Sequence, residues 1–386
     1  MNAETFFIYM FYGAFFAFSL LLYSKSYVFR GNGQLSSSVE KISAKTTLLP
    51  FLFFVFISFI IFTVFRDESV GADYGSYEIF FHSAAGNKLS EYIVFQMAIG
   101  GEPLYSLVSY IIYSITDNFL VFLFIINLTI FLTQIKLFSK TKNFWLSFVI
   151  YLILFFPMIF ESFNIMRNCL AAFIAIWGYA YLDKKKYFAA VLAFFAATLV
   201  HYTAMFCFTV WVMSLVCNGK VFRLKRLFLL VFVGTIATYL LLPRLIDIIL
   251  AIKPVYSYHV ESGGGLAIKS LSIYVVVFAV SLIYSKKLIA HNPFNKIMII
   301  VLGCALIIAP LQLLVNLIAR MMLFSQIALF FLVYEIFSVV KITRKNLFPA
   351  VGALALIALL SLGWFYSHVK NIPKDYGIDN YKSMLF

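Results

Sequence analysis

Apolar residues fill this chain in runs of about twenty, broken by short polar stretches. The runs lack the alternation of a half-buried strand. About twenty residues is the length an α-helix needs to cross the hydrocarbon of a bilayer. Reading the runs between breaks predicts twelve spans, over 5–24, 47–65, 119–135, 143–160, 166–182, 187–200, 202–217, 227–250, 270–285, 297–315, 318–340 and 347–366. A single helix over 187–217 would overshoot the bilayer by about 16 Å. Two helices meeting at His201 are therefore expected. The longest non-spanning stretch is 66–118, and within it Pro103–Ile115 is amphipathic and too short to cross. It is expected to lie along the membrane surface or dip in as a re-entrant helix. There is no tandem repeat and no soluble domain. The expected fold is all-α, one polytopic transmembrane helical bundle over 1–386.

Composition agrees. The chain is 63% hydrophobic and 12% charged, with a mean hydropathy of +0.97. One soluble core cannot hide that much apolar surface. A soluble enzyme, a nucleic-acid-binding domain and a disordered chain are excluded, and a membrane barrel would show alternating strands. The net charge of +14 would suggest nucleic acid in a soluble protein. Here it reflects sidedness. The loops at 25–46, 136–142, 183–186, 218–226, 286–296 and 341–346 alternate along the chain and hold two thirds of the 30 Lys and Arg. Their only acids are Glu40 and Asp183. The positive-inside rule places them in the cytoplasm, and twelve spans then put both termini outside. The alternation fails if 187–217 is one span. The first run has no basic n-region or cleavage site, so it reads as a retained helix. Cys169, Cys207, Cys217 and Cys304 lack metal or disulfide spacing and read as packing residues.

Charged groups beside spans are costly, and here they gather at the outer breaks. Arg66, Asp67, Glu68 and Asp73 follow the second span, and Glu102 precedes the amphipathic piece. Glu161, Asn164 and Arg167 form the turn between the fourth and fifth spans. His201 marks the next outer turn, and Asn316 and Arg320 a later one. Arg244, Asp247, Lys253, His259 and Glu261 lie around the loop after the eighth span. Each has a plainer reading: arginines snorkel to headgroups, Arg66–Asp67 is a helix-end ion pair, and His201 is a packing histidine. Gly263-Gly264-Gly265 lacks the context of a phosphate loop. Several arginines with two or three carboxylates and a histidine suit a di-anionic substrate plus proton transfer, because a guanidinium presents a planar fork of donors to phosphate. No DxD pair, HExxH or Cys/His set is present, so no metal and no cofactor is expected. No GxSxG is present for acyl transfer.

Arg66 followed by Gly71-Ala-Asp73-Tyr74-Gly-Ser-Tyr77 resembles the "R…GxDYxxY" opening of the EpsG-like proteins. Glu102-Pro103, Arg167, Lys184–Lys186, His201 with Tyr-Thr-Ala, and Ala319-Arg320-Met follow in the family's order. The tail Ile372-Pro373-Lys374-Asp375-Tyr376 departs from the usual closing "PY". The resemblance implies a Wzy-type O-antigen or polysaccharide polymerase of the bacterial plasma membrane, its site on the periplasmic side. Donor and acceptor would both be undecaprenyl-diphosphate-linked oligosaccharides. Membrane lipids and a chain-length regulator are further partners that such a protein admits, and nucleic acid is not one.

The expected activity is then metal-independent glycosyl transfer by a bundle of the GT-C type. Arg167, Arg320 and Arg66 are the expected diphosphate ligands. Asp73 leads as base, His201 follows, and Glu102 is third. Tyr74, Tyr77, Asn164 and Asn316 are candidates for the acceptor glycan. A lipid-linked oligosaccharide flippase would carry its polar residues near the midplane in inverted repeats. An O-antigen ligase would show one large outer loop late in the chain. A membrane acyltransferase would need a cytoplasmic donor site.

Overall fold

The computed structural model describes residues 63–66, 68, 70, 71, 73–138, 146, 149, 150, 153, 154, 162–217, 224–252, 268–313, 317–341 and 347–375. Every regular element among them is helical. The expected span 5–24, and most of 47–65 and 143–160, lie outside these residues, as do Asp67, Glu161, Lys253, His259, Glu261 and Asn316.

The stretch after Arg66 folds as three short helices: α1 (Tyr74–His82), α2 (Leu89–Ala98) and α3 (Pro103–Ile115). The first two are additions to the sequence reading. Leu89–Ala98 leaves Val94, Phe95 and Met97 exposed and buries Tyr92 and Gln96, so its polarity does not sort by face in the usual way. Pro103 opens α3, where a missing N–H costs nothing.

From residue 119 the helices follow the apolar runs: α4 (Phe119–Phe138), α5 (Met166–Asp183), α6 (Tyr187–Val200), α7 (Phe206–Cys217) and α8 (Leu224–Ile252). His201 has extended backbone, with φ −158° and ψ 125°. It stops α6, and a 3-10 turn at Tyr202–Met205 leads into α7. Two helices do meet at His201.

The run at 270–285 departs from expectation. Helix α9 (Ile268–Ile283) breaks at Tyr284, and α10 (Ser285–His291) leaves it at 81°. Lys286, Lys287 and His291 make α10 too polar to prolong an apolar crossing. Helix α11 (Asn295–Ile308) gives way to a 3-10 turn at Ala309–Leu313, where Pro310 lacks the N–H to continue the ladder. The chain ends its described course in α12 (Leu317–Val339) and α13 (Leu347–Asp375).

Among the described residues three helices, Asn295–Gln312, Arg320–Val339 and Leu347–Tyr366, are long and apolar enough to cross a membrane, and the bent pair would make a fourth. Helix α12 is central: 83% of its apolar window is buried, against 22% for α13. It packs on α5, α9 and α11. Helices α5 and α6 form a tight hairpin, closed where Gly178 meets Phe194. A Cβ at 178 would come within 2.1 Å of that ring. All four cysteines are buried, as packing residues would be.

The two ends of this bundle differ. Arg167, His201 and Arg320 sit at one end of α5, α6 and α12. About 24 Å along α5, the other end carries Asp183 and Lys184–Lys186, with Lys296 in their electrostatic reach. There Glu335 is fully buried, held by His291 Nδ1 at 2.7 Å and by Asn292 Nδ2 at 2.9 Å.

Candidate active site

Glu102 is the N-cap residue of α3, yet its side chain does not cap that helix. It turns inward, 3% exposed, and its Oε2 accepts from Arg167 Nη1 at 2.5 Å. Its Oε1 lies 3.8 Å from His201 Nε2. Burial leaves a carboxylate costly unless it is paired, and the Arg167 guanidinium answers that cost.

Arg167 comes from the first turn of α5. Its guanidinium also reaches Gly100 O at 3.4 Å and lies 5.9 Å from the Tyr77 ring and 5.7 Å from the Tyr105 ring. Its Nε is buried and has no hydrogen-bond partner among the described residues. Glu102 thus holds the Nη1 corner of the guanidinium fork.

Asp73 stands at the N-cap of α1 and likewise leaves its own helix uncapped. It is half-buried. Burial pushes its carboxyl above the ordinary aspartate range, against the pull of Arg320 and Arg167. Asp73 therefore lies in the field of both arginines.

Arg66 is buried over Phe163 at 4.5 Å and Tyr74 at 5.4 Å. Tyr77 donates its hydroxyl to Asn164 O at 3.1 Å, so Tyr74 and Tyr77 are buried beneath arginines. Gly71 makes this approach possible: its φ is +99°, and a Cβ there would meet Phe163 O at 2.8 Å.

Two residues to which the sequence reading gave no role, one of them the Thr203 of the His201 landmark, connect the site. Asn168 Nδ2 donates to Arg320 O at 3.0 Å, and Thr203 Oγ1 donates to Asn168 Oδ1 at 2.6 Å. His201 Nδ1 lies 2.7 Å from Thr203 Oγ1. The adjacency of Asn168 to Arg167 and of Thr203 to His201 was the signal available. Of the residues expected at the site, Asp73, Glu102, Arg167, His201 and Arg320 thus form one constellation, and Arg66, Tyr74, Tyr77 and Asn164 its flank. Asn316 lies outside the described residues. Arg244 and Asp247 stand exposed on α8. No cluster of His, Cys, Asp and Glu that would hold a metal occurs among the described residues.

Apolar helices around a buried arginine–carboxylate–histidine cluster at one bundle end define a helical membrane protein with a polar site. The EpsG family model matches residues 49–383, and the chain belongs to that family. No curated protein and no solved structure matches it. Membership carries membrane residence and a role in polysaccharide biosynthesis.

Proposed function

We propose that this protein polymerises lipid-linked oligosaccharide repeat units into O-antigen or exopolysaccharide. The reading is a metal-independent glycosyltransferase of the GT-C kind with about twelve spans, in the bacterial inner membrane, its site open to the periplasm. The observation that carries it is the convergence of Arg167, Arg320, Asp73, Glu102 and His201 at the end opposite the lysine-rich one. If Lys184–Lys186 face the cytoplasm, the site faces outward, where lipid-linked repeat units are joined.

The chemistry follows from charge. The acceptor hydroxyl attacks the anomeric carbon of the donor while a base takes its proton. The carbon–oxygen bond to the diphosphate breaks, and the electron pair leaves on phosphate. Arg167, Arg320 and Arg66 stabilise that developing charge, the work that preorganised donors do best in a water-poor site. Asp73 leads as base, because burial makes its carboxylate more basic while part of it stays open. His201 is the second proton acceptor. Glu102 holds Arg167 and is third. Tyr74, Tyr77 and Asn164 border the acceptor side, and Asn316 is a further candidate for the acceptor glycan. The donor and acceptor carry undecaprenyl diphosphate, surrounding lipid holds their tails, and a chain-length regulator would dock outside this cluster.

Deleting and restoring the gene tests the reading through the glycan pattern on a gel. Single repeat units without long chains, reversed on restoration, are expected. Loss of all surface glycan would point to a flippase. Intact polymer left unattached would point to a ligase.

A further inference from the structure

The hydrogen bonds behind His201 fix where its protons sit. Asn168 is fully buried, and its Nδ2–H donates to Arg320 O at 3.0 Å. That orients the amide and leaves Oδ1 as an acceptor. Thr203 Oγ1 is 2.6 Å from this Oδ1, so the single hydroxyl proton lies on that bond. The same Oγ1 is 2.7 Å from His201 Nδ1. An oxygen that has given its proton to Asn168 can only accept there, and the proton of this second contact comes from Nδ1. The Thr203 backbone N–H also points at Nδ1, at 3.3 Å. In the opposite arrangement Nδ1 would be bare and accept that N–H. The 2.7 Å contact would then set two lone pairs against each other. Two short bonds outweigh one long one.

We infer that Thr203 and Asn168 are positioning residues that keep a proton on His201 Nδ1, so that Nε2, on the Glu102 side, is the nitrogen where His201 gains and loses a proton. Neutral His201 then presents a lone pair at Nε2 and can accept from a sugar hydroxyl but not donate to it. On taking that proton the ring becomes imidazolium, faced by Glu102 Oε1 3.8 Å away. The hydroxyl oxygen meanwhile bonds the anomeric carbon, and the diphosphate departs with its electron pair. This consequence rests on the proposed function; the placement of the proton does not. Among the described residues, Glu102 ahead of α3 faces the ring, and Arg167 on α5 is paired with that carboxylate. Helices α6 and α7 and the 3-10 turn between them contain no charged group. The relay ends on the backbone carbonyl of Arg320, so the histidine and the helix turn that carries this arginine share one frame.

NMR of protein labelled with 15N-histidine in lipid nanodiscs decides the matter without substrate. The His201 signals are identified by their loss in His201→Gln, and spectra are taken at a pH where the ring is neutral. Protonated Nδ1 and bare Nε2 are expected in the wild type and in Thr203→Ser, with Thr203→Val moving the proton to Nε2. Bare Nδ1 in the wild type, or a Thr203→Val ring unchanged from it, overturns the inference. The wild-type spectrum suffices if Thr203→Val does not fold. Turnover reads the chemical role separately. With His201 as proton acceptor, Thr203→Val lowers kcat by about 10²-fold, within what general-base help is worth, with KM little changed and Thr203→Ser restoring it. Normal turnover alongside the shifted proton would take His201 out of the chemistry and leave the relay standing.

Discussion

Asp73 and Glu102 both occupy helix N-caps, where a carboxylate commonly accepts from its own first turn. Neither does so. Each forgoes local capping; Glu102 pairs with Arg167 and Asp73 lies in the field of Arg320 and Arg167, which helix stability alone does not explain. For Asp73 the sign of the linkage is definite. Its carboxyl is raised by burial, so the protonated form is the one the fold favours. That contribution is present at acid pH and is lost as pH rises through the raised value. At neutral pH Asp73→Asn should keep or raise thermal stability while lowering turnover by about 10²–10⁴-fold, the worth of a general base. A fall in stability, with turnover near normal, would contradict both parts. The acid limb of the rate profile should also lie above the ordinary aspartate range. For the arginines, Arg167→Lys and Arg320→Lys should restore little of the polymer that alanine abolishes, because a point charge cannot replace a fork of donors. Long chains from both lysine variants would make these residues topological. The charged members of the site were legible in sequence, since charge at the edge of an apolar run stands out. Asn168 and Thr203 were not, because a small polar side chain inside such a run looks like tolerated packing until a partner 152 residues away supplies its bond.

At the scale of elements, the apolar runs located the described helices from 119 onward, apart from the bend after α9, and the break at His201. It did not find α1 and α2, whose apolar residues are spread around each helix. The 81° turn after α9 also escaped it, since the lysines that end that run set where it stops but not the angle. The hairpin of α5 and α6 makes a sharp test of packing. The Phe194 ring is fully buried and has nowhere to retreat when a methyl is added at Gly178. Gly178→Ala should cost about 1–3 kcal/mol, the range for overpacking a filled core. Thermal unfolding in detergent measures it. A variant as stable as the wild type would mean the two helices can slide apart, and with them Arg167 and His201.

The whole molecule has a charged site at one end and a lysine-rich surface at the other, and everything functional depends on which faces out. Asn87 and Lys184 are both exposed, and the four native cysteines are buried. An impermeant thiol reagent applied to intact cells should label Asn87→Cys and spare Lys184→Cys. Labelling only the second would invert the topology. The central claim, that this EpsG-family protein links lipid-borne repeat units, is tested most directly with purified protein in vesicles and one defined undecaprenyl-diphosphate repeat unit. The account predicts a ladder of integral multiples of the repeat with stoichiometric release of undecaprenyl diphosphate, absent in Arg167→Ala. Repeat units that cross the bilayer and remain single, with no diphosphate released, would contradict it.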